Sequence, residues 1–189
     1  MSGADAGVGA LPVALSLGSN DFELFGLAPT MVQDRAALDA RWKALQREAH
    51  PDKFAAQGAC AQRLAMQWSV RINEAYQRLK DPLKRAAYLC ERHGAPVQAE
   101  NNTAMPAEFL IQQIQWREML DDASSQDDVD KIRQTLNQEK HSMLLKCEQN
   151  IDVEQDFVAA VGQVRALMFI ERLAQDVNLR LDAFESGLA

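Results

Sequence analysis

The fold is decided by residues 34–79, which read DRAALDARWKALQREAHPDKFAAQGACAQRLAMQWSVRINEAYQRL. Apolar residues recur there at spacings of three and four on both sides of a central His-Pro-Asp, the period of one face of an α-helix. The repeating residues are Leu38, Trp42, Leu45 and Ala49, and then Leu64, Trp68, Ile72, Ala75 and Leu79. Pro51 cannot continue a helix, and it disfavours the helical conformation for His50. We therefore predict antiparallel helices at about 34–49 and 59–79, with His50, Pro51 and Asp52 exposed at the turn.

The rest of the chain also shows helical periods. One short helix is predicted at about 21–27, with Asp21 as its N-cap and Pro29 after it, and another from Pro82 to His93-Gly94. Beyond Pro106, three helices are predicted at about 106–122, 126–148 and 152–186, separated by Ser124-Ser125 and Asn150. Because their connections are short, consecutive helices should be antiparallel.

The predicted fold is therefore all-α. An N-terminal domain at 19–94, made of the hairpin and two short helices, should follow a flexible tail at 1–18. A linker at 95–105 without helical period should lead to a three-helix bundle at 106–189. The bundle core should contain Val129, Ile132, Leu136 and Met143, and then Val153, Phe157, Ala160, Val164, Leu167, Ala174, Val177, Leu181 and Phe184.

Composition excludes several classes of function. The net charge of −7 argues against a nucleic-acid-binding protein. The three cysteines, Cys60, Cys90 and Cys147, form no CxxC pair, which argues against a structural zinc site and suits a reducing compartment. No stretch approaches the roughly 20 apolar residues of a membrane span, and residues 1–18 contain no Lys or Arg, unlike a secretory or mitochondrial leader. We expect a bacterial cytoplasmic protein without cofactor or bound metal.

Basic residues surround the predicted turn. They are Arg41, Lys43, Arg47 and Lys53. At roughly 100° per residue, Lys43 and Arg47 lie about 140° and 180° from Leu38, opposite the apolar face. A positive strip on an acidic protein suits an acidic partner surface. An ordinary solvated helix face with an ordinary turn is the alternative interpretation of the same pattern.

The His-Pro-Asp turn and the helices on either side of it resemble a J-domain, the module that stimulates ATP hydrolysis by DnaK-type chaperones. The resemblance covers Asp21 to Gly94 and is carried by Phe22-Glu23-Leu24-Phe25-Gly26-Leu27, His50-Pro51-Asp52-Lys53-Phe54, Ile72-Asn73-Glu74-Ala75-Tyr76, and the segment from Leu79 to Tyr88. The C-terminal half resembles the HscB-type co-chaperones of iron–sulfur cluster assembly. Its signals are Ala87-Tyr88-Leu89, His93-Gly94, Phe109-Leu110-Ile111 and Trp116-Arg117-Glu118.

The J-domain resemblance implies that His50, Pro51 and Asp52 bind an HscA-type chaperone of the DnaK family and favour its hydrolysis-competent state. Lys53, Arg41, Lys43 and Arg47 would assist by orienting the encounter. The chain itself would catalyse nothing. An enzyme that uses His50 and Asp52 is the weakest alternative, because no nucleophile is near them in sequence and no nucleotide-binding loop is present.

A second apolar face appears on the first bundle helix. The angle around the helix axis can be measured from Phe109 at roughly 100° per residue. By this measure Trp116 and Leu120 lie within about 20° of Phe109, on the same face. Leu110, Ile111 and Ile114 lie between roughly 100° and 200° away, on another face. Phe169 lies similarly off-face, roughly 200° from Leu167. A helix that is apolar on two sides must bury both or use one for binding. The second face could therefore pack on the N-terminal domain, on a second copy, or on a partner.

The resemblance favours a partner. HscB-type proteins bind an IscU-type iron–sulfur scaffold protein through apolar residues at positions matching Leu110, Ile111, Ile114 and Phe169. Glu118, at about 180° from Phe109, is expected to add a polar rim. Gln115 stands where family members often have an acid, so part of the charged rim is absent from this chain. The resemblance implies an adaptor that delivers the scaffold to the chaperone. We expect a monomer, and because Cys60, Cys90 and Cys147 lie on separate predicted helices, we expect no direct ligation of the cluster by this chain. A general J-domain co-chaperone whose bundle only dimerises is the competing possibility. His93 and His141 are expected to be structural or exposed.

Overall fold

The computed structural model describes residues 16–97 and 105–186, and every regular element in these ranges is helical. The contacts divide the chain into two compact units, Met1–Asp81 and Pro82–Ala189. This confirms the all-α prediction. Residues 1–15 of the predicted tail and 98–104 of the predicted linker lie outside the described residues. Among the described helices, none is both long and apolar enough to cross a bilayer.

The N-terminal unit consists of three α-helices and one short 3₁₀ helix. They are α1 (Asp21–Phe25), α2 (Arg35–Glu48), the 3₁₀ helix Pro51–Gln57 and α3 (Ala59–Lys80). The N-cap of α1 is Asn20 and not Asp21, because Asn20 and Glu23 form a reciprocal capping box. Gly26 ends α1 in the left-handed conformation, which glycine adopts without strain.

Asp21 is instead a completely buried carboxylate. One of its oxygens lies 2.6 Å from an Nη of Arg71, and the other lies 2.6 Å from an Nη of Arg78. Both arginines belong to α3, and Arg71 also donates to the carbonyl of Ser19. These contacts join α1 to α3. Burying a charge is tolerated when it is paired and hydrogen-bonded, as it is here.

Helices α2 and α3 form the predicted antiparallel hairpin. Arg35 donates to the carbonyl of Lys80 near one end, and Gln46 donates to the carbonyl of Ser69 near the other. The hairpin core confirms Leu38, Leu45, Ala49, Trp68, Ile72, Ala75 and Leu79 as buried residues.

Two hairpin residues differ from the prediction. Leu64 is 48% exposed and Ala65 is buried in its place. Both lie one helical turn before Trp68, so the spacing alone does not choose between them. Trp42 is half-buried at the edge of the hairpin, where its indole N–H donates to Asn73 and its ring stacks on Tyr76. A tryptophan N–H needs such a partner, which favours an edge position over the core.

The C-terminal unit contains α4 (Pro82–Arg92), α5 (Ala107–Asp121), α6 (Gln126–Glu148) and α7 (Phe157–Glu185). Helix α4 was predicted to belong with the hairpin, but it packs against α7 and α6. Its end is held by a stack of His93 on Phe157, with ring centroids 3.8 Å apart. Residues 95–97 of the predicted linker also pack here, since Ala95 and Val97 are buried. Where the functional domains begin and end stays a prediction.

Helices α5, α6 and α7 form the predicted three-helix bundle, in which α5 and α7 run parallel. Phe109 and Phe169 meet near one end, and Arg180 donates to the carbonyl of Ala123 near the other. Helix α6 connects them in the opposite direction and is tied to α7 by Lys140 and Glu171, 2.8 Å apart. The buried residues confirm the predicted positions on α6 and most of those on α7.

The connection between α6 and α7 was predicted wrongly. The chain does not break at Asn150 but continues through a π-helical turn, Gln149–Val153. The break comes at Gln155, whose φ is 55°, and Asp156 then caps α7. Because of this shift, Val153 is 67% exposed and Ile151 is buried instead. Leu173 is buried where Ala174 was expected, and Phe157 and Phe184 are half-buried.

Candidate functional site

The His-Pro-Asp turn lies at the start of the 3₁₀ helix between α2 and α3. His50 caps this helix, and its Nδ1 accepts a hydrogen bond from the backbone N–H of Asp52 at 3.3 Å. The carboxylate of Asp52 lies 3.6 Å from the same ring nitrogen, and its side chain is 90% exposed. Pro51 occupies the first helical position, where its fixed φ suits the turn. The arrangement presents a carboxylate and an imidazole to solvent on a rigid turn.

The basic residues predicted around the turn are accessible. Lys43, Arg47 and Lys53 are exposed, and Arg41 is half-buried. Among the described residues, none of these four forms an ion pair. Their charges therefore remain available to a partner.

The predicted apolar face of α5 is open to solvent. Leu110, Ile111 and Ile114 are 43%, 56% and 56% exposed, and Glu118 is exposed beside them. Phe109 and Trp116 on the opposite face are buried, with their rings in an edge-to-face contact. Helix α5 is thus apolar on two sides, and the C-terminal unit buries only one of them. We call Leu110, Ile111, Ile114 and Phe169 the apolar patch.

Phe169 is the α7 member of the apolar patch, and it is only half-exposed. Its ring packs edge-to-face on Phe109 with centroids 6.0 Å apart, and the guanidinium of Arg117 lies 5.4 Å from its centroid. Phe169 and Leu110 both line a depression of about 190 Å³ between α5 and α7. The structure thereby brings these two predicted residues to one surface. The depression is also lined by Met105, Gln113, Arg165, Met168 and Arg172.

The arginines at this depression were not singled out from the sequence. Arg165, Phe169 and Arg172 are spaced four and three apart on α7, so they share one helix face. That spacing was a usable signal, but only the packing of α5 on α7 shows that Arg117 joins them.

The cysteines show no arrangement for metal binding. Cys60 is exposed, whereas Cys90 and Cys147 are buried in the C-terminal unit. Burial raises the pKa of the Cys90 thiol to about 11 and that of Cys147 to about 12, so both are protonated at neutral pH. In residues 16–97 and 105–186, no group of three or more His, Cys, Asp or Glu side chains is placed to hold a metal ion.

The chain is similar to known proteins along most of its length. Residues 105–178 match the family described as the HSCB C-terminal oligomerisation domain. A co-chaperone protein HscB homolog from Burkholderia multivorans is 45% identical over 175 residues, covering 91% of this chain and 99% of its own. One from Bordetella avium is 45% identical over 157 residues, covering 82% and 94%.

Solved structures show the same fold. The chaperone HscB from Vibrio cholerae matches with a TM-score of 0.76 at 30% identity, over 88% of this chain and 99% of that one. Human co-chaperone protein HscB matches in fold with a TM-score of 0.83 at 23% identity, over 88% and 84%. The relatives are similar along nearly their whole length, so both the hairpin with its His-Pro-Asp turn and the bundle with its apolar patch lie within the matched region. The chain therefore belongs to the HscB family of co-chaperones.

Proposed function

We propose that this protein is an adaptor between an IscU-type iron–sulfur scaffold protein and an HscA-type chaperone of the DnaK family. The bundle binds the scaffold through the apolar patch and Glu118. The hairpin tip, which consists of His50, Pro51 and Asp52, binds the chaperone and stimulates its ATPase. This promotes transfer of the cluster to recipient proteins. The adaptor itself hydrolyses no ATP, and it acts in the bacterial cytoplasm as a monomer.

The observation that carries the scaffold half of this proposal is the exposure of the apolar patch. Large apolar residues that cluster on a monomer surface mark interaction sites. Burying a large apolar side chain contributes about 1.5–3 kcal/mol, and association costs offset much of the sum. Since Leu110 and its neighbours are partly covered already, we expect micromolar affinity, which corresponds to about 8 kcal/mol. Such a complex forms and releases readily.

The chaperone half is supported by the tip. His50, Pro51 and Asp52 are held on a short helix while Asp52 is almost fully exposed. Arg41, Lys43, Arg47 and Lys53 flank it in sequence, and complementary charge raises association rates. A regulator of this kind contributes no reacting group. It shifts the chaperone between two states by binding one of them better.

The experiment that tests the proposal is isothermal titration of the full chain with an IscU-type scaffold. Wild type should bind with micromolar affinity, and Leu110→Ala combined with Phe169→Ala should abolish binding. Leu145→Ala is the matched control, because Leu145 is 52% exposed on α6, away from the patch. No binding by folded wild type would overturn the scaffold assignment.

Self-association is the second candidate role for the patch. It is favoured by the family description as an oligomerisation domain, together with the same exposed residues. Sedimentation velocity at several protein concentrations separates the two roles. A dimer that disappears in Leu110→Ala would assign the patch to a second copy of the chain.

A further inference from the structure

One edge of the apolar patch carries three arginines around a single aromatic ring. Arg165 and Arg172 line the depression beside Phe169, and Arg117 lies over the Phe169 ring at 5.4 Å. The Nε of Arg165 donates to the carbonyl of Val97 at 2.8 Å, which holds this side chain in place. The cationic edge is thus part of a built surface that two helices and the segment before residue 98 contribute to.

These arginines have no acidic partner within the part of the chain that the structure describes. Other charged residues of the bundle are engaged: Lys140 pairs with Glu171, and Arg133 pairs with Asp130. Glu171, next to Arg172 in sequence, is therefore already occupied by Lys140. The protein has a net charge of −7, so three arginines without an ion-pair partner make this edge a locally positive surface on an acidic protein.

The depression has the size and lining to take one side chain. Its volume is about 190 Å³, and an apolar cavity of ~150 Å³ holds a benzene molecule. Leu110, Met168 and Phe169 supply apolar walls, while Arg165 and Arg172 supply charged donors. Guanidinium groups bind carboxylates through two parallel hydrogen bonds, and exclusion of water by apolar walls strengthens the charged contact.

We infer that this depression is a subsite for an acidic side chain of the scaffold partner, an Asp or Glu adjacent to the apolar residues that cover the patch. The inference rests on the proposed function and deepens it. Arg172 is the main ligand, because it is exposed and uncommitted, whereas Arg165 is held by Val97. The carboxylate would set the register of the complex, while Leu110, Ile111 and Ile114 supply the apolar contact.

The test is titration of the full chain with an IscU-type scaffold at low and high ionic strength. Arg172→Gln removes the charge at similar length, and Arg172→Lys keeps the charge but loses the bidentate geometry. The matched control is Arg133→Gln on α6, which removes the same charge away from the depression. Arg172→Gln should raise Kd about tenfold and flatten its salt dependence. Arg172→Lys should recover part of the affinity, and Arg133→Gln should stay within about twofold of wild type.

Two failures are distinguishable. If Arg172→Gln binds like wild type at both ionic strengths while Leu110→Ala loses binding, the subsite inference is overturned and the proposed function stands. If folded wild type does not bind the scaffold under any condition, the proposed function fails, and the subsite inference fails with it.

Discussion

Phe169 of α7 packs edge-to-face on Phe109 of α5, with ring centroids 6.0 Å apart and ring planes at 84°. Phe109 is 8% exposed and belongs to the bundle core, while Phe169 is half-exposed. The surface patch and the core are therefore joined through one aromatic contact. Aromatic pairs of this geometry contribute about 0.5–1.5 kcal/mol beyond the area they bury. Phe169 should accordingly affect both stability and binding.

This contact predicts different behaviour for two truncations of the patch. Phe169→Ala should lower the free energy of unfolding by about 1–3 kcal/mol, because it removes a half-buried aromatic side chain. Leu110→Ala should lower it by less than about 1 kcal/mol, since Leu110 is largely solvated. Both should weaken scaffold binding. Urea denaturation and titration calorimetry measure the two effects, and equal stability of the two variants would contradict the packing described here.

Asp52 should affect function without affecting the fold. Asp52→Asn keeps the size of the side chain and removes the charge, so we expect loss of ATPase stimulation in a coupled assay with the HscA-type chaperone. The free energy of unfolding should change by less than about 0.5 kcal/mol, because the side chain is 90% exposed. Scaffold affinity should be unchanged. Asp182→Asn, on the exposed surface of α7, is the control. Loss of scaffold binding by folded Asp52→Asn would refute separable sites.

Asp21 should stabilise the packing of α1 on α3. Asp21→Ala removes the carboxylate that Arg71 and Arg78 share, and we expect the free energy of unfolding to fall by about 2–3 kcal/mol. This lies below the usual cost of breaking a buried pair, because the two arginine side chains are 19% and 41% exposed. Arg78→Ala should cost less, since Arg71 still pairs with the carboxylate. Urea denaturation measures the free energy of unfolding of both variants. If Arg78→Ala were less stable than Asp21→Ala, Arg78 would contribute mainly by packing.

The pKa of Asp39 should rise when the hydroxyl of Tyr76 is removed. The pKa of Asp39 lies below its ordinary value, because Tyr76 Oη donates to its carboxylate at 2.8 Å and Arg35 pairs with it. A lowered folded-state pKa stabilises the fold fully above the unfolded pKa of about 3.9, and this contribution is lost as the pH falls through the folded value. In Tyr76→Phe, the pKa of Asp39 should move up toward its ordinary value, as followed by carboxyl NMR. Tyr88→Phe is the control, and an unmoved pKa would contradict the bond.

The helical framework is predictable from the sequence because it depends on local periodicity. The turn at Pro51 and the caps at Gly26 and Ser125 are encoded by residues next to them. Six of the seven α-helices were predicted within about two residues of their observed ends, whereas α7 begins at Phe157 and not near residue 152. Periodicity, however, leaves a choice of about one residue in which side chain faces the core. That choice placed Leu64 in the core instead of Ala65.

The features that were missed depend on long-range packing. The π-helical turn carries Ile151 into the core, which no local signal indicated. Helix α4 looks amphipathic on its own, and only the structure shows that α7 covers it. The candidate His-Pro-Asp turn stands in a recognisable motif, and the candidate patch was indicated by apolar residues off the core face of their helices together with the family resemblance. Arg117, Arg165 and Arg172 were not found, because they come together only when α5 packs beside α7.

The 3₁₀ helix Pro51–Gln57 buries none of its own side chains. Only Pro51 and Phe54 are half-buried in it, so packing constrains few of its positions, and under the proposed function selection acts on the others through the chaperone that binds the turn. We expect that the segment Pro51–Gln57 can be replaced by the corresponding segment of a related protein without loss of the fold. A chimaera that carries a foreign tip should fold like the parent protein and take its chaperone preference from the donor.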